Sequence, residues 1–205
     1  SNKMRKQIMW KKNTKEAVWT EIVSEKIRKQ KELLEIFGKE ESKVLSSYLE
    51  KIEWGDKTNR EGHAAKVYFN ALFGQDFTRT EDNCINAALN YGYSIVLSAF
   101  TREITVNGYL TQLGIFHDNM FNQFNLASDF MEPFRVLVDK KVCKMELLEF
   151  EHSEKMQLVD ILNQEVQIDG RIQYVNNAIK IYCKSVLEAL NEDDSSLIRF
   201  YKIEL

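Results

Sequence analysis

The apolar residues of this chain recur three and four positions apart over most of its length, the spacing of helices that bury one face. Val18, Trp19, Ile22, Val23, Ile27, Leu33, Leu34 and Phe37 predict a helix over about 13–37, with Gly38 placed to end it. Val44, Leu45, Tyr48, Leu49 and Ile52 share a face of a second helix, broken at Trp54-Gly55-Asp56, after which Thr58 or Asn59 can cap the next. The third helix covers 59–73 and closes at Gly74. A long helix follows from Glu81-Asp82-Asn83 to about Val106; it is apolar on most sides, which predicts a central buried element. Asn107-Gly108 ends or interrupts it. Further helices are expected from Ser128-Asp129, or just before Pro133, to about Phe150, then over 151–163 and 175–190. Between the last two the period drops to two around Asp169-Gly170, a short β-hairpin over 166–174. The stretch 197–203 is expected to be extended.

No internal repeat, low-complexity linker or composition break interrupts this pattern. The expectation is a mainly α protein, a single helical-bundle-like domain over 1–205 with one short β-hairpin, in which Ser1-Asn2 reads as the remnant of an expression tag. One proline and eight glycines among 205 residues agree with long helices, and 44% hydrophobic residues can supply a substantial core. No apolar run is long enough to cross a bilayer and no signal peptide is visible, so no membrane association is expected. Cys84, Cys143 and Cys183 are odd in number and form no CxxC pattern, which favours buried thiols in a reducing, cytoplasmic compartment.

Net charge changes the picture only through its distribution. The total is −3, but the first fifteen residues carry +6 and the remainder −9. A basic leading segment beside an acidic body can place cations along a phosphate track, although a solvated helix face is the more frequent meaning of such a run.

The chain has no HExxH, P-loop, GxGxxG, GxSxG or zinc-type cysteine cluster. The stretch Asn107 to Arg135 stands out instead. It mixes His117, Asp118, the amides Asn119, Asn122, Gln123 and Asn125, Asp129, Glu132 and the one proline with Phe116, Phe121 and Phe124. Such groups are costly to bury unless each has a partner, so the stretch is either a satisfied core segment or a site. Of the histidines, His152 sits in a charged run and reads as surface. His63 lies two residues after Glu61 on a helix, so their side chains diverge. His117 is the better candidate, because Glu132 can return to it across a loop. Glu61 lies in the first turn of its helix, where the dipole favours an acid in any case, and spacing alone does not join it to His117.

The segments NREGHAAKVYFNALFG (59–74), INAALNYGYSIVLSAFTREI (85–104) and NGYLTQLGIFHDNMFNQFNLASDFMEPFR (107–135) resemble the CRISPR-associated adaptation integrases, the Cas-one family, in its type II branch. The resemblance is specific over about 59–140 and looser outside it. It implies a divalent metal, Mg²⁺ or Mn²⁺, held by Glu61 of the REG helix, His117 of the G-x-x-H segment and Glu132 of the D-x-M-E-P-F-R segment. Two carboxylates and an imidazole form a mixed set suited to such ions rather than to a closed zinc site. His117 could instead protonate a leaving oxygen, and sequence does not separate the two roles. Asp129, one turn before Glu132, would orient a ligand.

The implied activity is spacer acquisition in antiviral defence. Working with the Cas-two protein, and as a homodimer in the full-length protein, the family enzyme joins 3′-hydroxyl ends of captured double-stranded DNA to the CRISPR repeat and also nicks DNA as an endonuclease. Arg60, Lys66, Arg79 and Arg135 are the expected phosphate contacts, with Tyr91 a further DNA-facing candidate. Two departures stand out. Val136 occupies a position where the family often has proline, and nothing here resembles the family's β-rich N-terminal domain. The alternative is therefore a catalytically silent helical DNA-binding or assembly module.

Overall fold

The computed structural model describes residues 1–203, which contain nine α-helices and a two-stranded antiparallel sheet, mainly α as the periodicity predicts. The helices are α1 (Asn2–Ile8), α2 (Lys12–Ile36), α3 (Ser42–Leu49), α4 (Arg60–Phe73), α5 (Cys84–Val106), α6 (Asn125–Phe130), α7 (Arg135–Met145), α8 (His152–Val159) and α9 (Val175–Glu192). The strands β1 (Glu165–Ile168) and β2 (Arg171–Tyr174) form the hairpin. Its turn has φ of 52° at Asp169 and 71° at Gly170, the left-handed pair that matches the twist of a two-residue hairpin. Lys202 bridges Gln167 in both directions (2.7 and 3.1 Å), a single isolated bridge, and the stretch expected to be extended from 197 follows a 3₁₀ turn over Ser195–Leu197.

Gly38 ends α2 by adopting φ 66°. The Lys39 N–H then reaches back to the Leu34 carbonyl (2.8 Å) and the Gly38 N–H to that of Glu35 (3.0 Å), a Schellman closure.

Three elements differ from the expectation. Helix α1 was not foreseen, because its sequence NKMRKQI has no apolar period. Its one buried residue, Gln7, donates to the carbonyls of Leu110 (2.8 Å) and Leu113 (3.1 Å) and accepts from the Leu110 N–H (2.8 Å). Helix α5 is not buried on most sides. Asn90, Ser94, Ser98 and Arg102 form an exposed stripe four residues apart, while Ala88, Leu89, Val96, Phe100 and Ile104 are buried. Small residues such as Ser carry little hydropathy signal, which hid the stripe. Finally, the helix expected from 128 or 133 to 150 is divided. Helix α6 starts at Asn125, Pro133 lies in a 3₁₀ turn over Glu132–Phe134, and α7 stops where Glu146 turns left-handed at φ 50°.

The chain sorts into two compact units. The first comprises Ser1–Ile22, Ile95–Glu132 and Leu162 onward. Its fully buried side chains include Trp19, Phe100, Phe130, Tyr182 and Tyr201, and Phe100 packs edge-on to Tyr182 (5.8 Å). The second comprises Val23–Ser94 and Pro133–Ile161, with Ile27, Leu33, Leu45, Tyr68, Phe134 and Leu158 fully buried. In this unit Gly92 of α5 faces Val138 of α7 so closely that a Cβ on Gly92 would lie 2.4 Å from Val138 Cγ1.

Candidate metal and DNA site

In the first unit, His117 belongs to the segment between α5 and α6 and keeps 43% of its side chain exposed. Asp129 of α6 is wholly buried, and the segment wraps around it. Its Oδ2 accepts from the N–H groups of Ile115 (2.7 Å) and Phe116 (3.0 Å). Its Oδ1 accepts from the His117 N–H (3.1 Å) and meets His117 Nδ1 at 2.5 Å. A buried carboxylate is tolerated when donors surround it in this way. The bond to Nδ1 also sets the tautomer, placing the imidazole lone pair on Nε2, as metal-binding histidines arrange it. Asp129 thus orients His117 directly.

Gly114 is required here for space. A Cβ would stand 2.2 Å from the His117 carbonyl oxygen and 2.7 Å from Asp129 Oδ2. Behind the segment, the buried Trp19 ring stacks on Phe116 (4.3 Å, 5° between planes) and meets His117 edge-on (5.9 Å). Neither Trp19 nor Gln7 was singled out from the sequence. Their signal, an aromatic and an amide in the first two helices, becomes readable only once the loop they hold is known.

Three of the four amides that sequence left unexplained staple the loop, and Gln123 takes part through its backbone carbonyl, which accepts from the Thr111 hydroxyl (2.7 Å). Asn119 Oδ1 accepts from the Phe121 N–H and Asn122 Oδ1 from the Phe124 N–H, both at 2.9 Å. Asn125 Nδ2 donates to the carbonyls of Gln112 (3.0 Å) and Asn119 (2.9 Å). Because these side chains satisfy the backbone locally, the loop does not need burial. Met120 and Phe121 are 87% and 88% exposed, so the tip of this stretch is a surface, whereas Leu126, Phe130 and Phe134 further along it are buried. Glu132, one turn after Asp129, closes the unit's middle segment and is itself buried, with 3% exposed.

In the second unit, Glu61 occupies the first turn of α4. The turn is built by two caps. Asn59, at φ 53°, accepts from the Gly62 N–H (3.2 Å), while buried Asp56 accepts from the N–H groups of Arg60 (2.8 Å) and Glu61 (3.1 Å). The Glu61 carboxylate meets Lys26 Nζ of α2 at 2.6 Å, with only 10% of the lysine and 20% of the glutamate side chain exposed. Lys26 was not anticipated, since a lysine among buried α2 positions looks like a solvated one in sequence.

The proposed phosphate contacts lie in differing surroundings. Lys66 is exposed, and Arg60 packs over the Tyr48 ring (5.8 Å). The Arg79 and Arg135 guanidinium groups both approach the Tyr93 ring, at 5.4 and 4.7 Å. Arg79 is further fixed by hydrogen bonds to Asn86 and Asn90. Tyr91 packs edge-on to Phe150 (5.7 Å). Below Tyr93, the buried Asp139 of α7 accepts from the Tyr68 hydroxyl (2.6 Å) and from the Tyr93 hydroxyl. Burial pushes the Asp139 carboxyl up from its ordinary 3.8 to about 6, against the opposing pull of the two phenols and of the Arg135 and Lys26 charges. Both phenols are pushed upward in turn, by burial first and by the charge of Asp139 second.

Two of the three expected donors have surroundings that fit a cation. Glu61 already carries a cation in the form of Lys26, and His117 is held through Nδ1 by a carboxylate. Among the described residues, no group of three or more His, Cys, Asp or Glu that could hold a metal ion is formed.

Comparison with known proteins gives a consistent result. Residues 2–149 match the family described as CRISPR associated protein Cas1. A CRISPR-associated endonuclease Cas1 from Neisseria meningitidis is 43% identical over 129 residues, which are 62% of this chain and 42% of the relative. The chain therefore spans less than half the length of that protein. Among solved structures, a casposase bound to its integration product shares the fold (TM-score 0.79, 19% identity, 95% of this chain and 71% of that one). So does a chain of a partial Cas6-RT-Cas1–Cas2 complex (TM-score 0.80, 17% identity, 98% of this chain and 73% of that one). With a family match that covers well over half of its residues, the chain belongs to the Cas1 family of CRISPR-associated proteins.

Proposed function

We propose that this chain acts in CRISPR adaptation as a metal-dependent strand-transfer element that joins 3′-hydroxyl ends of captured double-stranded DNA to the repeat and nicks DNA in a side reaction. Family membership and an endonuclease relative support the class of activity. The observation that carries the reading to particular residues is the buried Asp129 holding His117 by Nδ1. In this reading Glu61, His117 and Glu132 are the ligands for Mg²⁺ or Mn²⁺, which would neutralise charge on the scissile phosphate when bound. Asp129 keeps the imidazole turned, and Arg60, Lys66, Arg79 and Arg135 receive neighbouring phosphates. The operating assembly includes a Cas2 protein and, for the full-length protein, a homodimer, in the cytoplasm, where its three free thiols persist.

Strand transfer of a 3′-hydroxyl-ended duplex into a repeat-bearing plasmid, with Mn²⁺ and the Cas2 partner present, tests the proposal. Activity in the wild type should vanish in Glu61→Ala, His117→Ala and Glu132→Ala, and Asp129→Asn should lower it roughly 10–100-fold. A Mn²⁺-dependent rise in melting temperature should disappear in the same three variants. Retention of strand transfer by any of them removes that residue from the site.

A silent DNA-binding module is favoured by one observation, the ammonium of Lys26 seated on Glu61. It predicts salt-dependent DNA binding that survives replacement of all three residues. Replacing any one cation that truly contacts phosphate should lower the salt slope of binding by about one unit in either case.

A further inference from the structure

A lysine is expensive to bury, yet α2 buries Lys26, together with the positions one turn to either side of it. Its ammonium lies 2.6 Å from Glu61 Oε1, inside one unit. The backbone of the turn that carries Glu61 is fixed by the caps from Asp56 and Asn59, so its side chain leaves for the lysine from a held position. Lys26 also has a second acid to serve, because its charge helps pull the nearby Asp139 carboxyl downward. Gln30, one turn further along α2, is buried too, so the lysine stands on a polar seam through the unit and not on a solvated face.

We propose that Lys26 is the resident cation of Glu61, and that a divalent ion reaches this carboxylate only by displacing the ammonium. The proposal rests on the reading of Glu61 as a metal ligand. Two positive groups on one partly buried carboxylate repel, and that repulsion is little screened by water. Occupancy by metal is therefore set against an internal competitor. The ammonium, once displaced, stays tethered beside the site as a positive charge.

The experiment is calorimetric titration of Mn²⁺ into the 205-residue chain and its variants. Lys26→Met should bind Mn²⁺ more tightly than the wild type, on the order of tenfold, while Lys26→Arg stays near the wild-type value because the charge is kept. Equal or weaker binding by a folded Lys26→Met overturns the proposal. Glu61→Gln separates the two levels of the argument. If it retains the wild-type isotherm, Glu61 is no ligand and both readings fall; if it abolishes binding while Lys26→Met gains nothing, the competition alone fails. Should Lys26→Met not fold, the ¹⁵N resonance of the Lys26 ammonium, assigned by its loss in Lys26→Arg, gives the answer in the wild-type chain. Saturation with Mg²⁺ should shift it, and an unmoved signal at saturation overturns the proposal.

Discussion

Two buried aspartates are satisfied by different donors. Asp129 is met by three backbone N–H groups and an imidazole nitrogen. Asp139 has two phenols, and burial pushes its carboxyl up to about 6 in spite of them. The folded chain holds the Asp139 proton more tightly than the unfolded chain does. The contribution of this group to stability is therefore full below about pH 4 and is lost as pH rises toward 6, roughly 3 kcal/mol in all. Denaturant titrations across pH 4–7 should show Asp139→Asn gaining on the wild type by up to about that amount as the pH rises. Tyr68→Phe leaves one Asp139 oxygen without its donor and should cost about 1–3 kcal/mol by the same measurement. At the loop, Gly114→Ala should displace the His117 carbonyl or the Asp129 carboxylate and weaken strand transfer, although neither proposed ligand nor orienter is altered. A wild-type rate in that variant would remove the tight cradle from the account. Asp129 draws notice in the sequence from its place one turn before Glu132, and its contact with His117 is seen in the structure. The cradle was not legible, because residues 114–117 have no period and their N–H groups carry no side-chain signature.

Helices were legible wherever apolar spacing and end signals agreed. Helix α4 is the clearest, since Asn59 caps it and Gly74 closes it, as expected. Asn59→Ala removes that cap and places a Cβ residue with no polar tip at φ 53°, so a loss of about 1–2 kcal/mol is expected in denaturant melts. Helix α5 shows where hydropathy fails. Its exposed stripe is uncharged until Arg102, and its tightest contact depends on Gly92, a residue with no side chain to weigh. Alanine normally favours a helix by about 1 kcal/mol over glycine, yet Gly92→Ala should destabilise this one by about 1–3 kcal/mol. Val138 is β-branched and stiff, so it cannot swing aside from a carbon at 2.4 Å. Adding Val138→Ala to Gly92→Ala should recover part of the loss. Helix α1 had no period to read, because a single buried glutamine secures it.

At the scale of the whole molecule, local patterns stop being informative. The limits between the two units fall inside α2 and α5, where the sequence has no linker to notice. Charge was only partly legible as well. The basic run at the start is in part matched within its own unit, since Lys11 pairs with Asp193 (2.7 Å) and Lys3 lies over the Tyr109 ring (5.9 Å). Glu61 and His117 belong to different units and are far apart in the chain, so no local rule could have related them; only motif resemblance did.

The interleaving of the units also orders events on the ribosome. The second unit has its whole sequence once Ile161 is made, but the first must wait for the stretch that begins at Leu162. At ~5–20 residues per second, that delay is roughly two to nine seconds. During it Phe100 has already emerged, while Tyr182, whose ring it packs against, does not yet exist. The nascent chain therefore passes through a stage in which one half can close and the other still shows its apolar surface to chaperones.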